Sequence, residues 1–170
     1  MKTRSRFGST TALALLLVFS CDAMAADKPP LNAQAAAARA VERGRYLVSI
    51  AGCNDCHTPG YAMTGGKIPE KQWLVGDKLG WRGPWGTTYP TNLRLRMKNL
   101  SEDEWVKVAH TAQFRPPMPW FALHAMTESD LRAIYQFVRY LGDDGEPAPA
   151  YVPPDQEPRL PYVLFPAPPQ

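Results

Sequence analysis

Apolar positions along the chain fall into three stretches with helical spacing, separated by segments that have none. In the first, residues 33–51, Ala, Arg and Glu dominate, and Ala40, Leu47, Val48 and Ala51 gather toward one face, which predicts a helix that stops at Gly52. The second opens on Ser101-Glu102-Asp103-Glu104, a capping box with acids in its first turn, and carries Trp105, Val106, Val108 and Ala109. The third runs from Thr127 to Leu141. There Leu131, Ile134, Tyr135, Phe137, Val138 and Leu141 trace an i, i+3, i+4, i+7 stripe, and Gly142 stands where a C-cap is expected.

Two segments break this pattern. Residues 58–100 hold glycines and prolines without a sustained period, too long a loop for a compact domain unless a bound group supplies packing surface. Tyr61, Trp73, Leu74, Trp81, Trp85, Tyr89, Leu93 and Leu95 suit the lining of a flat apolar group, and residues 80–86 read as a tight turn beside it. Residues 143–170 contain nine prolines, a density at which no regular helix or strand is expected. Tyr151, Val152, Leu160, Tyr162, Val163, Leu164 and Phe165 are nonetheless too apolar for a plain spacer, so the tail is expected either to wrap the domain, the preferred reading, or to dock on a partner.

The N-terminus has a different logic. Lys2, Arg4 and Arg6, the apolar run TALALLLVFS and Ala23-Met24-Ala25 follow in the order of a secretory signal peptide. The expected organisation is therefore a signal peptide at 1–25, a folded domain at 26–142 and a proline-rich tail at 143–170. A lipid anchor on Cys21 is disfavoured by the bulky Phe19 just before it.

Composition adds limits. The 170 residues, 45% hydrophobic and 21% charged, suit one globular domain. A net charge of +3 is too small and scattered for a nucleic-acid partner, and no apolar run reaches the length of a membrane span. Charge is uneven, however. Lys78, Arg82, Arg94, Arg96 and Lys98 occur with no acid between them, whereas residues 142–170 hold five acids against Arg159 alone. If this segment borders the site, its basic rim would steer an acidic partner; the equal alternative is a solvated loop whose charges only keep it soluble.

The cysteines point to the chemistry. Cys53 and Cys56 are followed at once by His57, as C-N-D-C-H. A structural zinc site needs four ligands, and no second cysteine pair exists to complete one. A thioredoxin-like dithiol needs βαβ surroundings, whereas a helix is expected before Cys53 and a loop after it. The fused string is instead the attachment signature of c-type haem: two thiols add to two vinyl groups while the adjacent imidazole reaches the iron. Candidates for the opposite axial place are Met63, Met97, Met118, Met126, His110 and His124. Met118 is preferred because Pro116, Pro117 and Pro119 stiffen the chain around its sulfur. His110 is read as a partner for a helix dipole.

From Arg43-Gly44-Arg45-Tyr46-Leu47 through Cys53 to His57, then Tyr89 to Leu93, Ser101 to Trp105, Pro117-Met118-Pro119 and Thr127 to Leu141, the chain resembles the class I monohaem c-type cytochromes, in particular bacterial ones that serve periplasmic alcohol, aldehyde or sugar-acid dehydrogenases. The resemblance implies an all-α fold of three or more helices around one haem c bound through Cys53 and Cys56, with His57 and Met118 as axial ligands. It also implies a one-electron carrier in the periplasm rather than an enzyme, whose partners are redox proteins: a dehydrogenase, another cytochrome or a terminal oxidase. The alternatives are a haem subunit of a dehydrogenase complex, or a sensor or peroxidase-like protein with an open sixth position.

Overall fold

The computed structural model describes residues 30–165. The expected signal peptide, Cys21 and the last three prolines lie outside the described residues. Along the chain come α1 (Leu31–Ile50), α2 (Cys53–His57), β1 (Gly80–Gly83), β2 (Gly86–Thr88), α3 (Leu93–Lys98), α4 (Glu102–Thr111), α5 (Trp120–Ala125), α6 (Glu128–Leu141) and β3 (Tyr162–Leu164).

The three helices expected from periodicity form α1, α4 and α6. Packing of α1 on α6 builds the core, with Leu47 and Val48 from one side and Leu131, Ile134, Phe137 and Val138 from the other. Burying each of these side chains contributes roughly 1.5–3 kcal/mol. The helices touch backbone to backbone at Gly44, where a Cβ would lie 2.0 Å from the Ala133 carbonyl oxygen and 2.6 Å from Phe137 Cβ. In α4 the capping box is present, with the Ser101 N–H donating to the Glu104 carboxylate at 2.7 Å and the Glu104 N–H to Ser101 Oγ at 3.3 Å. Trp105 Nε1 donates to the Leu131 carbonyl at 2.9 Å and fastens α4 to α6.

The rest differs from expectation. Residues 58–100 are not one irregular loop but contain two 3-10 turns, Ala62–Thr64 and Glu70–Gln72, a β1–β2 hairpin and α3. Asn92 starts α3 by accepting the Leu95 N–H at 3.1 Å. The tail supplies a strand despite its prolines. β3 pairs in parallel with β1, Trp81 opposite Val163, giving a sheet in the order β2-β1-β3. Residues 162–165 are free of proline, and Pro161 is needed only for its carbonyl, which accepts the Gly80 N–H at 3.0 Å. The fold is thus mostly helical with a small sheet, which corrects the all-α expectation. Among the described residues no helix is long and apolar enough to cross a membrane.

The basic rim is also corrected. Arg94 is only 4% exposed and caps α6: Nε donates to the Gly142 carbonyl at 2.6 Å, Nη1 to that of Lys71 at 2.8 Å, and Nη2 to that of Leu141. The tail wraps the domain and brings acids to two of the other four, Glu157 to Arg82 at 3.0 Å and Asp143 to Lys98 at 3.0 Å. Its start is held by Asn92 Nδ2, which donates to the Asp144 carbonyl at 2.8 Å. Much of the positive field expected of residues 78–98 is therefore balanced within the molecule.

Candidate functional site

Gly52, at φ +69°, turns the chain from α1 into α2, a single helical turn that puts Cys53 and Cys56 three residues apart on one side and His57 in the interior. Both cysteines are free and partly buried. Burial pushes the Cys53 thiol up to about 11, and burial with the nearby Asp55 and Asp77 raises that of Cys56. Neither behaves as the low-pKa thiolate of a redox dithiol.

The imidazole of His57 is set by its neighbours. Nδ1 lies 2.7 Å from the Thr91 carbonyl, which can only accept, so Nδ1 carries the hydrogen and Nε2 keeps its lone pair. Burial holds this ring below the usual histidine range, against the smaller opposing pull of the Thr91 carbonyl. Thr91 is delivered to the ring by close backbone packing at Gly76, where a Cβ would meet the Asn92 nitrogen at 2.7 Å and the Pro90 oxygen at 2.9 Å. The Gly76 N–H in turn donates to the His57 carbonyl at 2.9 Å.

A second set of bonds ties α2 to the same segments. Thr58 Oγ1 donates to Asn54 Oδ1 at 2.8 Å and accepts the Leu74 N–H at 2.8 Å, and the Leu74 carbonyl accepts from the Leu93 N–H at 3.0 Å. Leu74 sits at φ +62°, a region that disfavours leucine, with both its backbone groups bonded and its side chain wholly buried. This scaffold around His57 escaped sequence reasoning, and Gly76 and Asn92 were the signals available for it.

Met118 lies in residues 112–119, the strap between α4 and α5, partly buried and packed against the core, as is Phe114. Of the two remaining histidines, one bonds the start of this strap and the other ties the end of α4 to the end of α5. His124 Nε2 donates to the Ala112 carbonyl at 3.0 Å and His110 Nε2 to that of Met126 at 3.2 Å. His110 is thus a cross-link rather than only a dipole partner. Of the other methionines, Met63 is 92% exposed, Met97 is wholly buried in the core, and Met126 ends α5.

Part of the expected aromatic lining packs on protein. Trp73 stands edge-on to Phe137 and Tyr61, with ring centroids 6.2 and 5.7 Å away, and Leu74 belongs to the core. Trp81 and Trp85 flank Phe165 of the tail at 5.6 and 5.4 Å. A cavity of about 450 Å³ is lined by Tyr89, Thr91, Leu95, Arg96 and Pro147 among others, and includes neither cysteine nor Met118.

The residues present fit a covalently held haem. Two free thiols flank an imidazole whose Nε2 is available, and Nε1 of Trp81, Nε1 of Trp85 and Oγ1 of Thr87 are buried without a hydrogen-bond partner, donors of the kind that carboxylates on a bound group would satisfy. A bare metal ion is served less well. Among the described residues no three His, Cys, Asp or Glu side chains are grouped to hold one.

The chain is similar to the fructose dehydrogenase cytochrome subunit of Gluconobacter japonicus. The two are 26% identical over 140 residues, which cover 76% of this chain and 27% of that protein, so the chain spans about a quarter of the relative's length. No family model and no solved structure matches it.

Proposed function

We propose that this chain is a periplasmic one-electron carrier holding one haem c through Cys53 and Cys56, with His57 and Met118 as axial ligands. The observation that carries the reading is the joint placement of two free thiols and an imidazole whose Nδ1 is committed to Thr91. When bound, haem supplies an iron that alternates between Fe(II) and Fe(III). His57 offers a neutral Nε2, oriented by Thr91 and shielded from water. Met118 offers a thioether that favours Fe(II) and raises the potential. Met118 would be presented by the strap, and with both residues holding the iron no substrate would have room at the metal.

Replacing Met118 with Ala is expected to leave a folded, covalently loaded protein whose potential falls and whose iron accepts imidazole or cyanide. Redox titration and visible spectroscopy check this. The same change arising from Met126→Ala, with Met118→Ala silent, would show that the wrong methionine was chosen.

The similarity to a dehydrogenase subunit favours a second reading, in which the chain is the haem subunit of a periplasmic dehydrogenase complex. A tagged full-length chain purified from its own periplasm would then bring down a dehydrogenase in stoichiometric amount. A monomer alone on the column supports the free carrier.

A further inference from the structure

Tyr151, in the tail, touches both the strap that carries Met118 and the turn between β1 and β2. The Arg115 guanidinium stacks over its ring, 3.9 Å from the centroid, and its hydroxyl donates to the Trp85 carbonyl at 2.7 Å. Val152 exchanges two backbone hydrogen bonds with Thr87, at 2.7 and 3.0 Å. The circuit closes through β2, where Thr88 Oγ1 donates to the Pro116 carbonyl at 2.6 Å. Tail, hairpin and strap therefore form one ring of contacts around residues 115–118. The fit is tight at Gly86, where a Cβ would meet the Val152 oxygen at 2.4 Å and the Tyr151 hydroxyl at 2.7 Å.

The strap has little of its own to hold it. Three of its residues are prolines without an amide donor, and the Met118 N–H reaches the Arg115 carbonyl only at 3.3 Å. We infer that Tyr151 is a positioning residue for this strap: its stacking against Arg115 holds Met118 where the sulfur can serve the iron, so the tail sets how readily an outside ligand displaces it. The inference rests on the reading of Met118 as axial ligand. An exposed cation–π contact shifts an equilibrium constant by about two- to five-fold. Apparent affinity for a competing ligand scales with the fraction of strap that is open.

Imidazole titration of the ferric, full-length, haem-loaded protein tests this by visible spectroscopy. Tyr151→Leu and Arg115→Gln are each expected to tighten apparent imidazole binding about two- to five-fold, and the double variant no further than either alone. Tyr151→Phe keeps the ring and is expected to stay closer to wild type than Tyr151→Leu. Arg115 is exposed, so its variant folds without disturbing the core. Unchanged titrations in both single variants, or fully additive effects in the double, overturn the inference. Met118→Ala run alongside separates the two levels. If it too leaves the titration unchanged, the ligand reading falls and the inference with it, whereas a responsive Met118→Ala beside silent Tyr151 and Arg115 variants overturns the inference alone.

Discussion

A chain carrying both Cys53→Ser and Cys56→Ser, exported in a host that matures c-type haem, is expected to show no haem stain on a denaturing gel, while either single variant keeps a weakened one. The expectation follows from the geometry of α2. One helical turn holds the two thiols on a common side, next to a buried imidazole, and neither is consumed in a disulfide. Each S–H would add across one vinyl group of the haem, the sulfur bonding one carbon and the hydrogen the other, a step that needs no oxidant. A thioether would survive detergent, whereas the proposed bonds from His57 and Met118 to the iron would be lost once the chain unfolds. Retention of full stain by the double variant would remove the covalent assignment.

The second large effect is structural. Gly44→Val is expected to lower stability by about 3 kcal/mol, at the upper end of the usual overpacking range, because the obstacle is a backbone carbonyl rather than a side chain that can swing aside. Gly44→Ala isolates the cause. Helix propensity alone favours alanine by roughly 1 kcal/mol, so a destabilised Gly44→Ala assigns the effect to the crossing of α1 and α6. Urea unfolding read as a shift in midpoint at constant slope measures both. An unchanged midpoint in Gly44→Val would mean that α1 can slide on α6, and that the close approach does not fix where α2 begins.

The features legible in the sequence are those written in neighbouring residues. The Ser101–Glu104 box, the stripe from Leu131 to Leu141 and the positive φ of Gly142 each depend on contacts within a turn or two, and each stands where the periodicity puts it. The C-N-D-C-H string was legible for the same reason. What was hidden is set across long separations. β1 needs β2 and the tail to become a strand, and nothing within residues 80–83 announces either partner. Arg94 looked like a surface cation because its three carbonyl partners, on Lys71, Leu141 and Gly142, are remote in sequence. The histidines misled in a milder way. The sequence offers His110 and His124 as ligands and His110 as a dipole partner, whereas His124 bonds the Ala112 carbonyl at the start of the Met118 strap and His110 that of Met126, just after α5.

The parallel pairing of β3 with β1 also has a meaning in time. A chain that emerges from its N-terminus presents α1, α2 and the hairpin first, and α1 finds its packing partner once residue 141 is out. Only residues 151–164, which follow all the helices, bring the strand and the tyrosine that close over the hairpin and the strap. For the whole interval before that, the helical core can stand assembled while its most open side is still unfastened. A late-arriving segment of this kind leaves a bulky, rigid group room to enter sideways, and then shuts behind it.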